Sequence, residues 1–220
     1  MRKLIGAVSF VLVLLSASSS RAEGLAAGVK IGTLGPGVEV TGYIAETLNL
    51  RVGYNYLSWS YDRKINDINY DADLDLNTLL TTLDWHPFHN NFRISGGVAV
   101  DNNELKLSGT PTESTKIGDV TYTPEQIGTI KGTATFNKLA PYVGIGYGNA
   151  VKDDTTWGFI FDLGVLFHGT PSISLSSNGS LANDPDYQNN LKIEQGKIQD
   201  DANEFRIYPV LAFGISYYFW

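Results

Sequence analysis

The chain has 220 residues, 12% of them aromatic and 18% charged, with 23 glycines, no cysteine and a formal net charge of −7. Absence of cysteine removes disulfides, thiolate metal sites and a lipid-modified cysteine anchor. The acidic balance argues against nucleic acid as a partner, and the length fits one domain.

Residues 1–22 read as a secretory signal. Arg2 and Lys3 precede the apolar stretch Leu4–Leu15, and Ser20-Arg21-Ala22 supplies small residues where a signal peptidase reads them. The stretch is too short for an ordinary membrane-spanning helix, which needs about 20 residues. Cleavage after Ala22 is expected, leaving a domain over 23–220 with 13 basic and 23 acidic residues, net −10. Nowhere in that domain is there an apolar run long enough for a transmembrane helix. An exported, glycine-rich, aromatic chain with alternating segments leaves a secreted β-sandwich or a membrane β-barrel.

Strand signals then recur in chain order. Leu25–Thr33 sets Ala27, Val29 and Ile31 against Gly28, Lys30 and Gly32. Gly35-Pro36-Gly37 follows, as a turn or as a kink within one longer strand. Val38, Val40 and Ile44 form the next apolar file, opposed by Glu39, Thr41 and Tyr43. After the turn 46–49, Leu50–Tyr61 points Leu50, Val52, Tyr54 and Tyr56 one way and Arg51, Gly53 and Asn55 the other. Asp62–Tyr70 reads as a polar loop. Asp71–Trp85 alternates at first, Leu74 and Leu76 against Asp73 and Asp75, but loses its register around Thr78-Leu79-Leu80, as a bulge would make it. The turn 86–91 leads to a fifth strand, Phe92–Leu107, and a long polar loop, 108–128.

The sixth strand, Ile130–Gly148, ends in Pro-Tyr-Val-Gly-Ile-Gly-Tyr-Gly and is turned by 149–155. The seventh has the most apolar file, Trp157, Phe159, Phe161, Leu163, Val165 and Phe167. In the loop 169–204, Asp184-Pro185 has the form of a helix cap followed by proline at the first helical position, with Tyr187, Leu191 and Ile198 near one face. The last strand carries Ile207, Pro209, Leu211, Phe213, Ile215, Tyr217 and Phe219. Eight strands result, with short connections alternating with long ones. Pro141 and Pro209 each stand about one bilayer crossing, 9–11 residues, from the short-turn end.

The signal, the eight-strand rhythm, the Pro-Tyr-Val-Gly-Ile-Gly-Tyr-Gly strand and the aromatic terminus together resemble small outer-membrane β-barrel proteins of the OmpA and OmpW type. The resemblance implies an all-β fold, an eight-stranded antiparallel up-and-down transmembrane barrel with short periplasmic turns and longer extracellular loops. It implies residence in a Gram-negative outer membrane among lipid and lipopolysaccharide. Gly214, Tyr217, Phe219 and Trp220 are similar to the signal such barrels present to the barrel-assembly machinery. Two departures stand out: Trp220 follows the terminal Phe219, and Ala212 occupies a position where a polar residue is usual. Activity does not follow from the fold.

Several groups are candidates for function. An eight-stranded lumen is just wide enough for side chains to fill it. Its expected charges are Glu39, Asp73, Asp75 and Asp162 against Arg51 and Arg93. Charges so confined must pair, which gives a lumen plugged by ion pairs; a narrow polar pore is the other reading. An OmpW-like passage or pocket for small apolar molecules would instead need a lumen lined by Leu79, Leu83, Ile160 and Leu166. His168, with Thr170, Ser172 and Ser174 behind it, is a weak catalytic candidate for a lipid A-modifying hydrolase; the serine expected two residues on is Thr170. Asp84, His86 and His89 have metal-ligand chemistry, but Pro87 and the neighbouring Trp85 and Phe88 fit a girdle turn better. Gly144-x-Gly146-x-Gly148 lacks the nucleotide-loop spacing and suits a crowded inner wall. The expectation is therefore a structural or cell-surface barrel, not an enzyme, with no cofactor and no metal.

Overall fold

The computed structural model describes residues 24–65, 68–151 and 156–219. The expected signal peptide and Trp220 lie outside them, as does most of the 149–155 turn. In chain order the elements begin with β1 (Leu25–Gly32), β2 (Gly37–Ala45), β3 (Leu48–Ile65), β4 (Ile68–Trp85), β5 (Phe92–Asp101) and β6 (Glu104–Thr110). Next come β7 (Thr115–Ile117), β8 (Val120–Tyr122), α1 (Pro124–Ile127), β9 (Ile130–Thr135) and β10 (Leu139–Tyr147). The chain ends with β11 (Trp157–Leu166), β12 (Ser172–Ser177), α2 (Pro185–Ala202) and β13 (Tyr208–Tyr218).

Eight antiparallel strands close a barrel in the order β1-β2-β3-β4-β5-β10-β11-β13, with β13 returning to β1. Closure leaves no unpaired strand edge in the wall, the condition for backbone to cross hydrocarbon. Gly35-Pro36-Gly37 is a true turn between two strands. Gly35 takes φ +89°, open to glycine at no steric cost, and its N–H bonds the Gly32 carbonyl at 2.9 Å. Pro141 and Pro209 both sit near the long-loop ends of their strands.

Outward-facing side chains form an apolar band that includes Val29, Leu50, Val52, Leu83, Val98, Val143, Leu163 and Phe213. Phe159, next after Trp157 on the outward file of β11, is 79% exposed, as a hydrocarbon surround favours. At the short-turn end, Trp85, Tyr147, Trp157 and Tyr217 are exposed beside Phe88, and Trp157 meets Tyr217 with centroids 5.0 Å apart. Aromatic girdles sit where hydrocarbon gives way to headgroups.

Two expectations for β3 and β4 are corrected. No bulge lies at Thr78-Leu79-Leu80: the β3–β4 register is unbroken from Leu48↔Trp85 to Ile65↔Ile68. Nor do Asp62–Ile65 and Ile68–Tyr70 form a loop: they continue the two strands as a ribbon well above the barrel, and residues 66 and 67 of that expected loop lie outside the described residues. The alternation loses its phase for another reason. On the outward file, Leu50, Val52, Tyr54 and Tyr56 give way to Ser58 and Ser60, and on β4 Leu83 and Leu79 give way to Asn77, Asp75, Asp73 and Asp71. The opposite file changes the other way, from Arg51 and Asn55 to Leu57, Trp59 and Tyr61, and from Asp84 and Thr82 to Leu76, Leu74 and Ala72. Outside faces are apolar against lipid and polar against water, so the pattern inverts where the ribbon leaves the bilayer.

Above that level β3, β4, β6, β9 and β12 form an open half-shell. The fifth strand is continuous in register from β5 into β6, interrupted only at Asn102–Asn103, where Asn103 Oδ1 accepts from Asn77 N at 2.7 Å. The sixth likewise passes from β9 to β10 without a change of register against its neighbour. Between β11 and β12 the register changes by one, around Gly169 at φ +73°. A one-residue change exchanges the two faces of a strand, so Ile173 and Leu175 look inward although Leu163 and Val165 look out.

The two segments read as polar loops are folded. The β7–β8 hairpin, α1 and α2 share a small core of Ile117, Tyr122, Ile127, Tyr187 and Leu191. The expected cap holds: Asp184 accepts from Asp186 N and Tyr187 N, both at 3.0 Å, with Pro185 at the first position. Helix α2 also covers the free edge of β12, where Ile173 N donates to Gln199 Oε1 and Leu175 N to Gln195 Oε1. An exposed strand edge invites pairing with other chains.

The inversion is testable because the chain has no native cysteine. Single cysteines at Val52, Tyr54, Ser58 and Ser60 all lie on one file of β3. In lipid, spin labels at the first two are expected to relax with oxygen and those at the last two with a water-soluble nickel complex; one uniform response along the file would contradict the boundary.

Candidate functional site

The barrel interior is built around Arg51. Its guanidinium is bidentate to Asp84 (Nε–Oδ2 2.7 Å, Nη2–Oδ1 3.2 Å) and to Asp162 (Nη1–Oδ2 2.8 Å, Nη2–Oδ1 3.1 Å). It also reaches Glu39 at 3.3 Å. Lys30 meets the same Glu39 oxygen, Oε2, at 2.7 Å, and Arg93 holds Asp162 at 2.7 Å while donating to the Gly148 carbonyl at 2.5 Å. Ser95 donates to Asp84 at 2.7 Å. Three cations thus meet three carboxylates, all nearly excluded from solvent. The planar five-donor fork of arginine suits two flanking carboxylates as a lysine would not.

Glycines make room for this layer. A Cβ at Gly146 would lie 2.8 Å from Arg93 Nε, and one at Gly144 or Gly164 would lie 2.5 Å from the Tyr142 hydroxyl. The Gly-x-Gly-x-Gly run is therefore a stripe of inner wall across which Tyr142 and Arg93 lie. Toward the long-loop end, Tyr142 joins Leu34, Leu80, Ala99, Ala140, Leu166 and Val210 in an apolar layer. Toward the short-turn end, Asn49 Nδ2 contacts His86 Nε2 at 3.2 Å and Asn149 Oδ1 at 3.1 Å. Cavities above and below Arg51 in the lumen measure about 10 Å³ each, about one water molecule.

Of the expected lumen charges, Glu39, Arg51, Arg93 and Asp162 converge here. Asp73 and Asp75 do not. They belong to the outward file of β4 above the bilayer, where Asp73 pairs with Ser60 and Lys106, and Asp75 accepts from Ser58 Oγ at 2.6 Å. Tyr43 is exposed at the short-turn end, beside a register shift in β2. Lys30 and Asp84 are the members that sequence reasoning misses. Lys30 stands alone between two glycines, and Asp84 falls next to a histidine-bearing turn. Leu79 and Leu83 point outward while Ile160 and Leu166 are buried, so the four do not form one apolar lumen lining.

The remaining candidates separate in space. His86 Nδ1 faces the Asn90 carbonyl at 3.0 Å and Nε2 faces an Asn49 amide, so both ring nitrogens are engaged. Burial pushes its pKa below the usual imidazole value. His89 is exposed near Glu46, and Asp84 belongs to Arg51. Among the described residues, no three His, Asp or Glu side chains group as a metal site. His168 is buried, its ring 4.3 Å from Phe136 and 6.2 Å from Tyr208. Burial lowers its pKa, opposed by Asp101. Ser172 and Ser174 pair with Thr135 and Thr133 on the solvent-facing side of the shell. Gly214 lies opposite Lys30, whose Cβ leaves no space for another at that position, while Tyr217 and Phe219 meet edge-to-face in the girdle at 5.2 Å.

The chain is similar to a solved structure of Acinetobacter baumannii CarO2, with 25% identity over 91% of this chain and 100% of that one, TM-score 0.60. The fold is that of a small outer-membrane β-barrel protein. Acinetobacter baumannii CarO matches it at 24% identity over 88% and 97% of the two chains, TM-score 0.57. A major outer membrane protein from Thermus thermophilus follows at 14%, over 88% and 98%, TM-score 0.42. No family model and no curated protein matches the sequence.

Removing one partner of a buried ion network leaves the others uncompensated, at a cost of about 3–5 kcal/mol. Arg51→Met, which leaves Glu39, Asp84 and Asp162 facing one another, is expected to lower the stability of the folded barrel by that order in urea titrations. Arg206→Met, outside the barrel on an exposed residue, is expected to change it by less than about 0.5 kcal/mol.

Proposed function

We propose that this protein is an outer-membrane barrel with a closed lumen, whose role is structural or at the cell surface, carried by the half-shell it holds above the bilayer. The observation that carries this reading is the bidentate grip of Arg51 on both Asp84 and Asp162 across the lumen. An apolar layer lies above it and cavities the size of one water lie on either side. An ion entering this layer would have to displace a charge-balanced network in a low-dielectric setting, which is unfavourable. Outer-membrane lipid and lipopolysaccharide are the surroundings that the apolar band fits. The aromatic C-terminal strand fits delivery by the barrel-assembly machinery after export.

Planar-bilayer recording tests the closed lumen. The wild-type protein is expected to give no unitary current steps. Arg51→Ala is expected to stay silent as well, because Leu34, Leu80, Tyr142 and Val210 still fill the layer above; steady ohmic steps from the wild type would sink the reading. A hydrolytic role for His168 has less support, since its ring is packed against Phe136 and Tyr208 while Ser172 and Ser174 lie on the solvent-facing side of the shell. Lipid A from cells carrying His168→Ala is expected to match that from cells carrying the wild type, as judged by mass spectrometry.

A further inference from the structure

A much larger cavity than those of the lumen lies outside the barrel. It lies in the half-shell, measures about 460 Å³, and is lined by apolar residues from five elements, including Ala72 (β4), Leu105 and Leu107 (β6), Ala134 (β9), Ile173 (β12) and Ile198 (α2). That volume falls within the roughly 300–1,000 Å³ usual for small-molecule sites. Pairing fixes which side chains share the face. Ala72 sits opposite Leu107, Leu107 opposite Gly132, Leu105 opposite Ala134, and Ala134 opposite Ile173. Directly paired residues project to the same side of a sheet.

The polar members of the lining do not offer hooks on that side. Asp71 and Ser108 are paired on the other face and bond each other at 3.3 Å, and Thr133 faces the same way as Lys106. Thr115 Oγ1 donates to the Glu113 carbonyl at 3.0 Å. No lysine, arginine or histidine lines the cavity. The other face of the shell is hydrophilic throughout its described length: Ser58, Ser60, Asp73, Asp75, Glu104, Lys106, Ser172 and Ser174. A soluble shell could have buried its apolar face by packing α2 flat upon it. Instead Ile198 stands off and the space remains.

We propose that this cavity is a binding site for an uncharged, apolar small molecule, held at the outer surface just beyond the bilayer. Apolar area and shape are all the lining offers, so an ionised headgroup gains nothing there and loses its hydration. Trp59 reports on the site. It pairs with Leu74, which pairs with the lining residue Leu105, so it stands two strand spacings away, about 10 Å. Trp85 and Trp157 lie at the opposite end of the barrel.

The full-length mature protein in lipid nanodiscs is titrated with phenylnaphthylamine, a neutral apolar fluorophore, and probe emission is read under tryptophan excitation. The expected result is saturable binding, one probe per barrel, with the transfer signal largely lost in Trp59→Phe. Ala134→Phe fills the cavity and Leu107→Asp places an unpaired charge in it. Each is expected to weaken binding by about tenfold or more, with the folded barrel verified by its heat-modifiable migration on gels. Non-saturable partition, a transfer signal that survives Trp59→Phe, or equal affinity in both folded variants would mean a probe dissolved in lipid and would overturn the proposal. Equally tight binding of the anionic anilinonaphthalenesulfonate would overturn the ligand class. None of these outcomes depends on whether the lumen conducts.

Discussion

A β-strand offers each side chain one of two directions, and the bilayer decides what each direction favours. Within the membrane the outside is hydrocarbon and the inside is a narrow space filled by side chains. A few residues higher the outside is water, and the inside becomes the only place to shelter apolar groups. β3 and β4 cross this level without losing a single backbone pair, so the entire adjustment falls on the sequence. Tyr56 and Ser58 are neighbours on one file, yet they face different solvents. The barrel, the shell and the apolar cavity all follow from this one change of surroundings.

Inside the barrel the constraint is electrostatic. Burying one guanidinium against one carboxylate would leave donors and lone pairs unused, and a half-satisfied network is worse than an apolar core. Arg51 avoids this by engaging both flanking aspartates, with Glu39, Lys30, Arg93 and Ser95 completing a neutral set. Such a cluster does little for net stability compared with a well-packed apolar filling. Its value lies in geometry: the six charged members come from six different strands, so the set fixes how the strands are spaced about the axis.

The barrel was legible because alternation is a direct image of the lipid boundary. Eight strands and the helix cap at Asp184 can be read from residue types, whereas Gly35-Pro36-Gly37 reads as a turn or a kink until the pairing of β1 with β2 decides it. Glu39, Arg51, Arg93 and Asp162 can be assigned to the interior because each interrupts a file whose opposite side is apolar. Asp73 and Asp75 defeat the same rule, since an acid on an alternating strand says only that the other face is apolar. It does not say which face is outside. The lost phase at Thr78-Leu79-Leu80 was the available clue, and it has two readings, a bulge or a change of solvent. The apolar cavity left no local mark, because its lining comes from strands and a helix far apart in the chain.

The step between β11 and β12 has a consequence for how this protein can vary. Elsewhere the sequence itself switches the chemistry of a face, so a strand tolerates exchange of residues provided polarity is kept. Around Gly169 the switch is a matter of counting. Adding or deleting one residue there would rotate the whole of β12, sending Ile173 and Leu175 into water and three serines toward the cavity. Length, rather than composition, is the heritable property under constraint in that short stretch.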